Sequence, residues 1–221
     1  MEVSSMAAFF QQGGMFMYPI LLVFVTGIAI TAERWMQLSS TRRVNRDMWD
    51  VLYPVLAKGD FDKARAITSK DKSVISQMLE TGLARLGAVR RREDIEIAME
   101  ESMMEIIPQL EKRTPYVALL SNIATLLGLL GTIMGLIEAF TAVANANPAE
   151  KADLLSASIS VAMNTTAFGL MSAIPLLLFH AKLTSTTGQI VDSLEMASVK
   201  VMNIVSDFNR RHFDQEPEPV E

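Results

Sequence analysis

Apolar positions along the chain gather into three long blocks, separated by one broad charged stretch and one short polar connection. No Asp, Glu, Lys or Arg occurs from Val3 to Ala32, from Thr114 to Ile137, or from Leu154 to Ala181. A helix rising about 1.5 Å per residue needs roughly 20 such residues to cross a hydrocarbon layer of ~30 Å. The pattern predicts an all-α membrane protein with transmembrane helices at residues 13–33, 114–141 and 154–181. Residues 1–12 read as an amphipathic lead-in, with Met6, Phe9 and Phe10 suited to the interface and Gly13–Gly14 breaking it. A cleaved signal peptide fits poorly, because MEVSSMAAFF has no basic residue and the apolar run is longer than a usual leader core.

Pro19 falls in the first turns of span one, where a missing N–H is tolerated, and Glu33, Arg34 and Trp35 are expected to close that helix. Glu33 and Arg34 fit either a solvated helix end or an interfacial ion pair to a neighbouring helix. Residues 34–113 read as a helical region. One helix is expected over Met48–Ala57, bent at Pro54 and stopped by Gly59; a second over Phe61–Ser69, with Asp60 as N-cap; and a third capped by Ser73. In the third, Ile75, Met78, Leu79, Leu83 and Leu86 keep the helical period. Arg90, Arg91 and Arg92 form a basic cluster that suits a solvated face better than lipid headgroups. From Glu93 a helix with Ile95, Met99, Met103, Ile106 and Leu110 one turn apart is expected to kink at Pro108 and Pro115 and run directly into span two. That methionine stripe reads as core.

The second and third spans are not plain anchors. Ser121, Thr125, Gly128, Thr132 and Gly135 share one face of span two, and Gly128, Gly131 and Gly135 allow close backbone approach. Span three carries a matching stripe of Ser158, Ala162, Thr165, Gly169 and Ser172, with Thr166 beside it. Lipid offers these hydroxyls no hydrogen bonds, so they must meet other helices or water, as in an assembly or a pore. Pro175 is expected to free a carbonyl that Ser172 could help re-satisfy. Residues 142–153 read as a polar loop, and His180 as an interfacial residue rather than a proton relay. Beyond Lys182, Leu183, Thr187, Ile190, Leu194, Ala197, Val201, Ile204 and Phe208 alternate steps of four and three. That 3.5-residue period predicts a helix over 182–212 packed in a bundle. Residues 213–221, acidic and Pro-containing, read as a disordered tail.

Charge orients the spans. Of 20 Lys and Arg, none precedes Arg34, 15 lie between Arg34 and Arg113, one is Lys151, and four follow span three. The positive-inside rule puts residues 34–113 and the C-terminus in the cytoplasm, and the N-terminus and the 142–153 loop on the other side of the membrane. There is no Cys and there are two His, with no nucleophile–base or phosphate-loop pattern, so an enzyme is not expected, nor a metal or cofactor. The basic residues are spread through mixed-charge helices, which argues against nucleic-acid binding.

Three blocks, GGMFMYPILLVFVTGIAITAERW, LLGLLGTIMGLIEAF and NTTAFGLMSAIPLLL, resemble the signature segments of the ExbB/TolQ proton-channel proteins, relatives of MotA. The Gly-Gly start and the Glu33–Arg34 pair look more like ExbB than TolQ. The resemblance implies a homo-oligomer of about five copies in the bacterial inner membrane. Such a ring surrounds an ExbD/TolR-type single-span partner dimer that brings a titratable aspartate, and it powers TonB-type proteins. It maps proton-path threonines onto Thr132 and Thr166, with Thr165 adjoining. Some relatives have a glutamate five residues before the third-span threonine; here that position is Val161. Alternatives are a TolQ- or MotA-like subunit driving envelope integrity or motility, and a non-conducting membrane scaffold.

Overall fold

The computed structural model describes residues 13–86 and 92–213. The expected lead-in over 1–12, Arg90 and Arg91, and the acidic tail from 214 onward lie outside the described residues. Among the described residues six helices follow one another: α1 Met17–Ala57, α2 Phe61–Thr68, α3 Val74–Arg85, α4 Arg92–Glu111, α5 Thr114–Asn145 and α6 Lys151–Phe213. Among the described residues there is no β-strand. Segments of α1, α5 and α6 are each long and apolar enough to cross a membrane.

The two ends of α1 follow from local chemistry. Pro19 sits in the first turn, where N–H groups have no helical acceptor. At the far end Gly59 adopts φ +75°, its N–H donates to Leu56 O at 2.9 Å, and the N–H of Asp60 donates to Val55 O at 3.3 Å. This pair of bonds is the Schellman arrangement that a glycine permits. Between them α1 runs unbroken for 41 residues. The helix does not close at Glu33–Trp35, and no separate helix begins at Met48. Charged residues mark where a span leaves lipid, but Glu and Arg are good helix formers, and Pro54 is accommodated within the helix before Gly59 ends it.

Asp60 accepts a bond from the N–H of Lys63 at 3.1 Å and Ser73 one from the N–H of Ser76 at 3.3 Å, so both expected caps are in place. The join of α4 to α5 differs from expectation. Arg113 takes a left-handed φ of 66° and the helix breaks there, placing Pro115 in the first turn of α5. Pro115 has no N–H for the carbonyl of Glu111, its ring crowds that carbonyl, and it biases Thr114 away from helical geometry. Pro108 lies inside α4, flanked by buried Ile106 and Leu110. The α5–α6 connection is shorter than the 142–153 expected: only residues 146–150 lie between the helices.

The chain forms two compact units, Met1–Arg34 with Arg113–Leu183 and Trp35–Lys112 with Thr184–Glu221. In the first, Val23, Ala124 and Ala173 form a core against which Leu120, Ile123 and Leu127 pack. In the second, Ile75, Met78, Leu79 and Leu83 of α3 and Ile95 and Met99 of α4 are buried, as are Ile190, Leu194, Ala197 and Val201 of α6. The methionine stripe is therefore largely core, with Met103 half-buried. The α6 seam holds as far as Val201, then moves to Met202 and Val205, leaving Ile204 and Phe208 half-buried. A helix of 3.6 residues per turn drifts about 20° per heptad from a 3.5-residue line, which accounts for the change.

Candidate functional site

The site lies in the first unit, where α5 and α6 cross. Their buried lines are Ser121, Ala124, Gly128 and Gly131 on α5, and Ala162, Thr165, Gly169 and Ser172 on α6. Gly128 and Gly169 set the spacing: a Cβ at Gly169 would stand 2.8 Å from Ala124 O and 3.0 Å from the Gly128 Cα. A Cβ at Gly131 would lie 2.4 Å from Thr165 Cγ2, and one at Gly135 2.9 Å from Ala162 Cβ. All four expected packing glycines thus face the other helix, and only residues without a side chain allow the backbones this close.

This approach brings hydroxyls from one helix onto carbonyls of the other. Thr166 Oγ1 donates to Gly128 O at 2.9 Å. Thr132 Oγ1 touches Thr166 Oγ1 and lies 3.2 Å from Gly128 O and 3.4 Å from Ala162 O. Each hydroxyl has one proton to give and two lone pairs to accept with. Carbonyls are at hand for both protons, so the pair is left with accepting capacity. Both threonines are half-buried, and the uncharged runs supply no carboxylate of their own.

Thr165 belongs to a different set of contacts. It is 2% exposed and donates to Gly13 O at 2.6 Å, with Val161 O 3.0 Å away. Its hydroxyl therefore ties the segment ahead of α1 to the N-terminal third of α6, next to the Thr132–Thr166 pair. Ser121, fully buried, donates to Ala173 O at 2.8 Å. Thr125 is turned outward and bonds back to Ser121 O at 3.2 Å, so the buried line passes through Ala124 instead. Ser172 bonds back to Phe168 O at 2.9 Å and does not serve the carbonyl of Met171 that Pro175 releases.

At the end of span one, Glu33 pairs with Arg113 at 2.5 Å, both half-exposed, while Arg34 is buried. Of the two residues, read as a solvated helix end or an ion pair to a neighbouring helix, Glu33 thus finds its cation on the turn before α5. Sequence reading missed Arg113 because its role depends on the chain break at that turn. It also missed the partner of Thr165, since no periodicity links residues 13 and 165. Val161 packs close to Gly14, where a Cβ would stand 3.2 Å from its Cγ1.

Three helices with long apolar segments, and a hydroxyl cluster at a glycine-tight crossing, define a polytopic helical membrane protein. Residues 70–196 match the MotA/TolQ/ExbB proton channel family, and the chain belongs to it. It is 30% identical over 193 residues to biopolymer transport protein ExbB-like 1 of Synechocystis sp., covering 83% of this chain and 72% of the relative. It is 26% identical over 189 residues to a biopolymer transport protein ExbB homolog of Methanothermobacter thermautotrophicus, covering 85% of this chain and 66% of the relative. A shorter match, 33% over 87 residues, joins it to Tol-Pal system protein TolQ of Haemophilus influenzae, covering 39% of this chain and 38% of TolQ. The family is one of proton channels.

Proposed function

We propose that this chain is an ExbB-like subunit of a proton-driven motor in the bacterial inner membrane, with its N-terminus periplasmic and its C-terminus cytoplasmic. About five copies surround an ExbD/TolR-type single-span dimer, and the complex powers TonB-dependent uptake. The observation that carries the reading is the Thr132–Thr166 pair held on Gly128 O. Its spare accepting capacity suits a protonated carboxyl group or water, and a partner's aspartate would supply the titratable group that the uncharged spans lack. Thr165 stands beside that path and braces it through Gly13. One charge crossing 100 mV yields about 2.3 kcal/mol, so several protons must pass for each sizeable mechanical step. The family's TolQ branch supports the second reading, the same mechanism with envelope integrity as its load. The broader alignment with ExbB-like relatives favours the first.

The test is the native mass of the nanodisc-held protein, alone and co-expressed with its candidate single-span partner, followed by proton flux. A closed ring that takes up the partner, and flux that Thr166→Val reduces at normal assembly, are expected. A stable monomer that ignores the partner, or unchanged flux in Thr166→Val, refutes the reading.

A further inference from the structure

The second unit contains a cleft of about 420 Å³ whose lining includes none of the threonines proposed for the proton path. Its lining includes Arg42, Arg46 and Trp49 from α1, and Asp192, Met196 and Lys200 from α6. Three cations thus face one carboxylate, and neither arginine has an acidic partner among the described residues. Lys200 Nζ stands 5.9 Å from the Trp49 ring centre and 5.7 Å from that of Tyr53, with the two rings 5.5 Å apart. A basic wall joined to two mutually tilted aromatic rings suits an extended segment that alternates carboxylates with proline rings. Carboxylates pair with the cations, and prolines lie on the aromatic rings.

The chain carries such a segment: residues 214–221 read DQEPEPVE. We propose that this segment docks in the cleft of its own chain, with Glu218 and Glu221 against Lys200 and Arg46 and Pro219 on Trp49. Reach permits it. Lys200 precedes Phe213 by about 20 Å of helix, and eight extended residues span up to about 27 Å. The tail thereby links α1 to α6, the two helices that form the cleft's basic walls. Of the four acidic side chains, at 214, 216, 218 and 221, two are enough to neutralise the excess of two positive charges.

Trp35→Phe leaves Trp49 as the sole tryptophan, so acrylamide quenching of its fluorescence reads the cleft in the full chain. Deleting residues 214–221, or the double change Glu218→Lys with Glu221→Lys, is expected to raise the quenching. The synthetic peptide FDQEPEPVE added to the deleted chain is expected to restore protection. Removing two exposed charge pairs with Arg46→Glu and Lys200→Glu should weaken that peptide by about tenfold. Combining the tail's two lysine substitutions with these two reversals should bring protection back, which a merely misfolded variant would not do. The proposal is overturned if deletion leaves quenching unchanged, or if the peptide binds wild-type and reversed clefts alike. It is also overturned if inorganic phosphate or anionic-lipid nanodiscs protect Trp49 while the peptide does not.

Discussion

Replacing Gly169 with alanine should force α5 and α6 apart. The added methyl would stand 2.8 Å from Ala124 O and 3.0 Å from the Gly128 Cα, both backbone atoms that no rotamer change can move. Comfortable carbon contacts begin at about 3.5 Å, so the helices must separate by roughly half an ångström or more. Overpacking of this kind costs about 1–3 kcal/mol. Alanine in a helix regains only about 0.5–1 kcal/mol over glycine, so the net effect is destabilising. Gly188 lies on the same helix and provides the control: nothing stands within 4 Å of its Cβ position. Gly188→Ala should therefore stabilise by about 0.5–1 kcal/mol. Thermal unfolding of both variants in one detergent should give shifts of opposite sign. Gly169→Ala should also lower partner-dependent proton flux, because separation lengthens the 2.9 Å bond from Thr166 to Gly128 O. If Gly169→Ala is as stable as Gly188→Ala, the glycine-tight crossing is wrong.

Other expectations are smaller or more local. Thr165→Val deletes the bond to Gly13 O and should cost about 1 kcal/mol. Amide exchange over residues 13–20 should quicken in that variant, while Thr165→Ser keeps wild-type protection. Ser121→Ala leaves Ala173 O without its hydroxyl donor and should lower stability by about 0.6–1 kcal/mol, read by detergent unfolding. Glu33→Gln should change stability by less than about 1 kcal/mol, and less still in high salt, because the pair with Arg113 is half-exposed. Asp71 adds a pH dependence to the second unit. Burial alone would push its carboxyl up, but bonds from the Ser73 and Ser76 hydroxyls and the N–H groups of Ser73 and Lys72 hold it below the usual carboxylate value. A depressed folded-state value stabilises the fold at pH above the unfolded carboxylate's value, and that contribution disappears as pH falls through the folded one. Acid unfolding followed on α3 should show this loss, and Asp71→Asn should remove its pH dependence.

Local chemistry made several features legible in the sequence. Gly59, Asp60 and Ser73 act where they stand in the chain, so their stop and caps could be read directly. The 3.5-residue seam of α6 as far as Val201 was equally readable, because burial against a neighbour imposes that period. Charge misled at Glu33–Trp35, where it marks the edge of a span and not the end of a helix. Proline misled at Pro115, where a kink and a break share one sequence signal.

The sequence by itself determined three charge-free spans, the helical class and the small-residue faces, since lipid solvation and helix periodicity act on consecutive residues. Only the tertiary structure decided which hydroxyl meets which carbonyl. Thr165 and Thr166 are neighbours in the chain, yet 100° of helix rotation sends one to Gly13 and the other to Gly128 and Thr132. That choice rests on how closely Gly128 and Gly169 let two backbones approach, a distance that no single stretch of sequence contains.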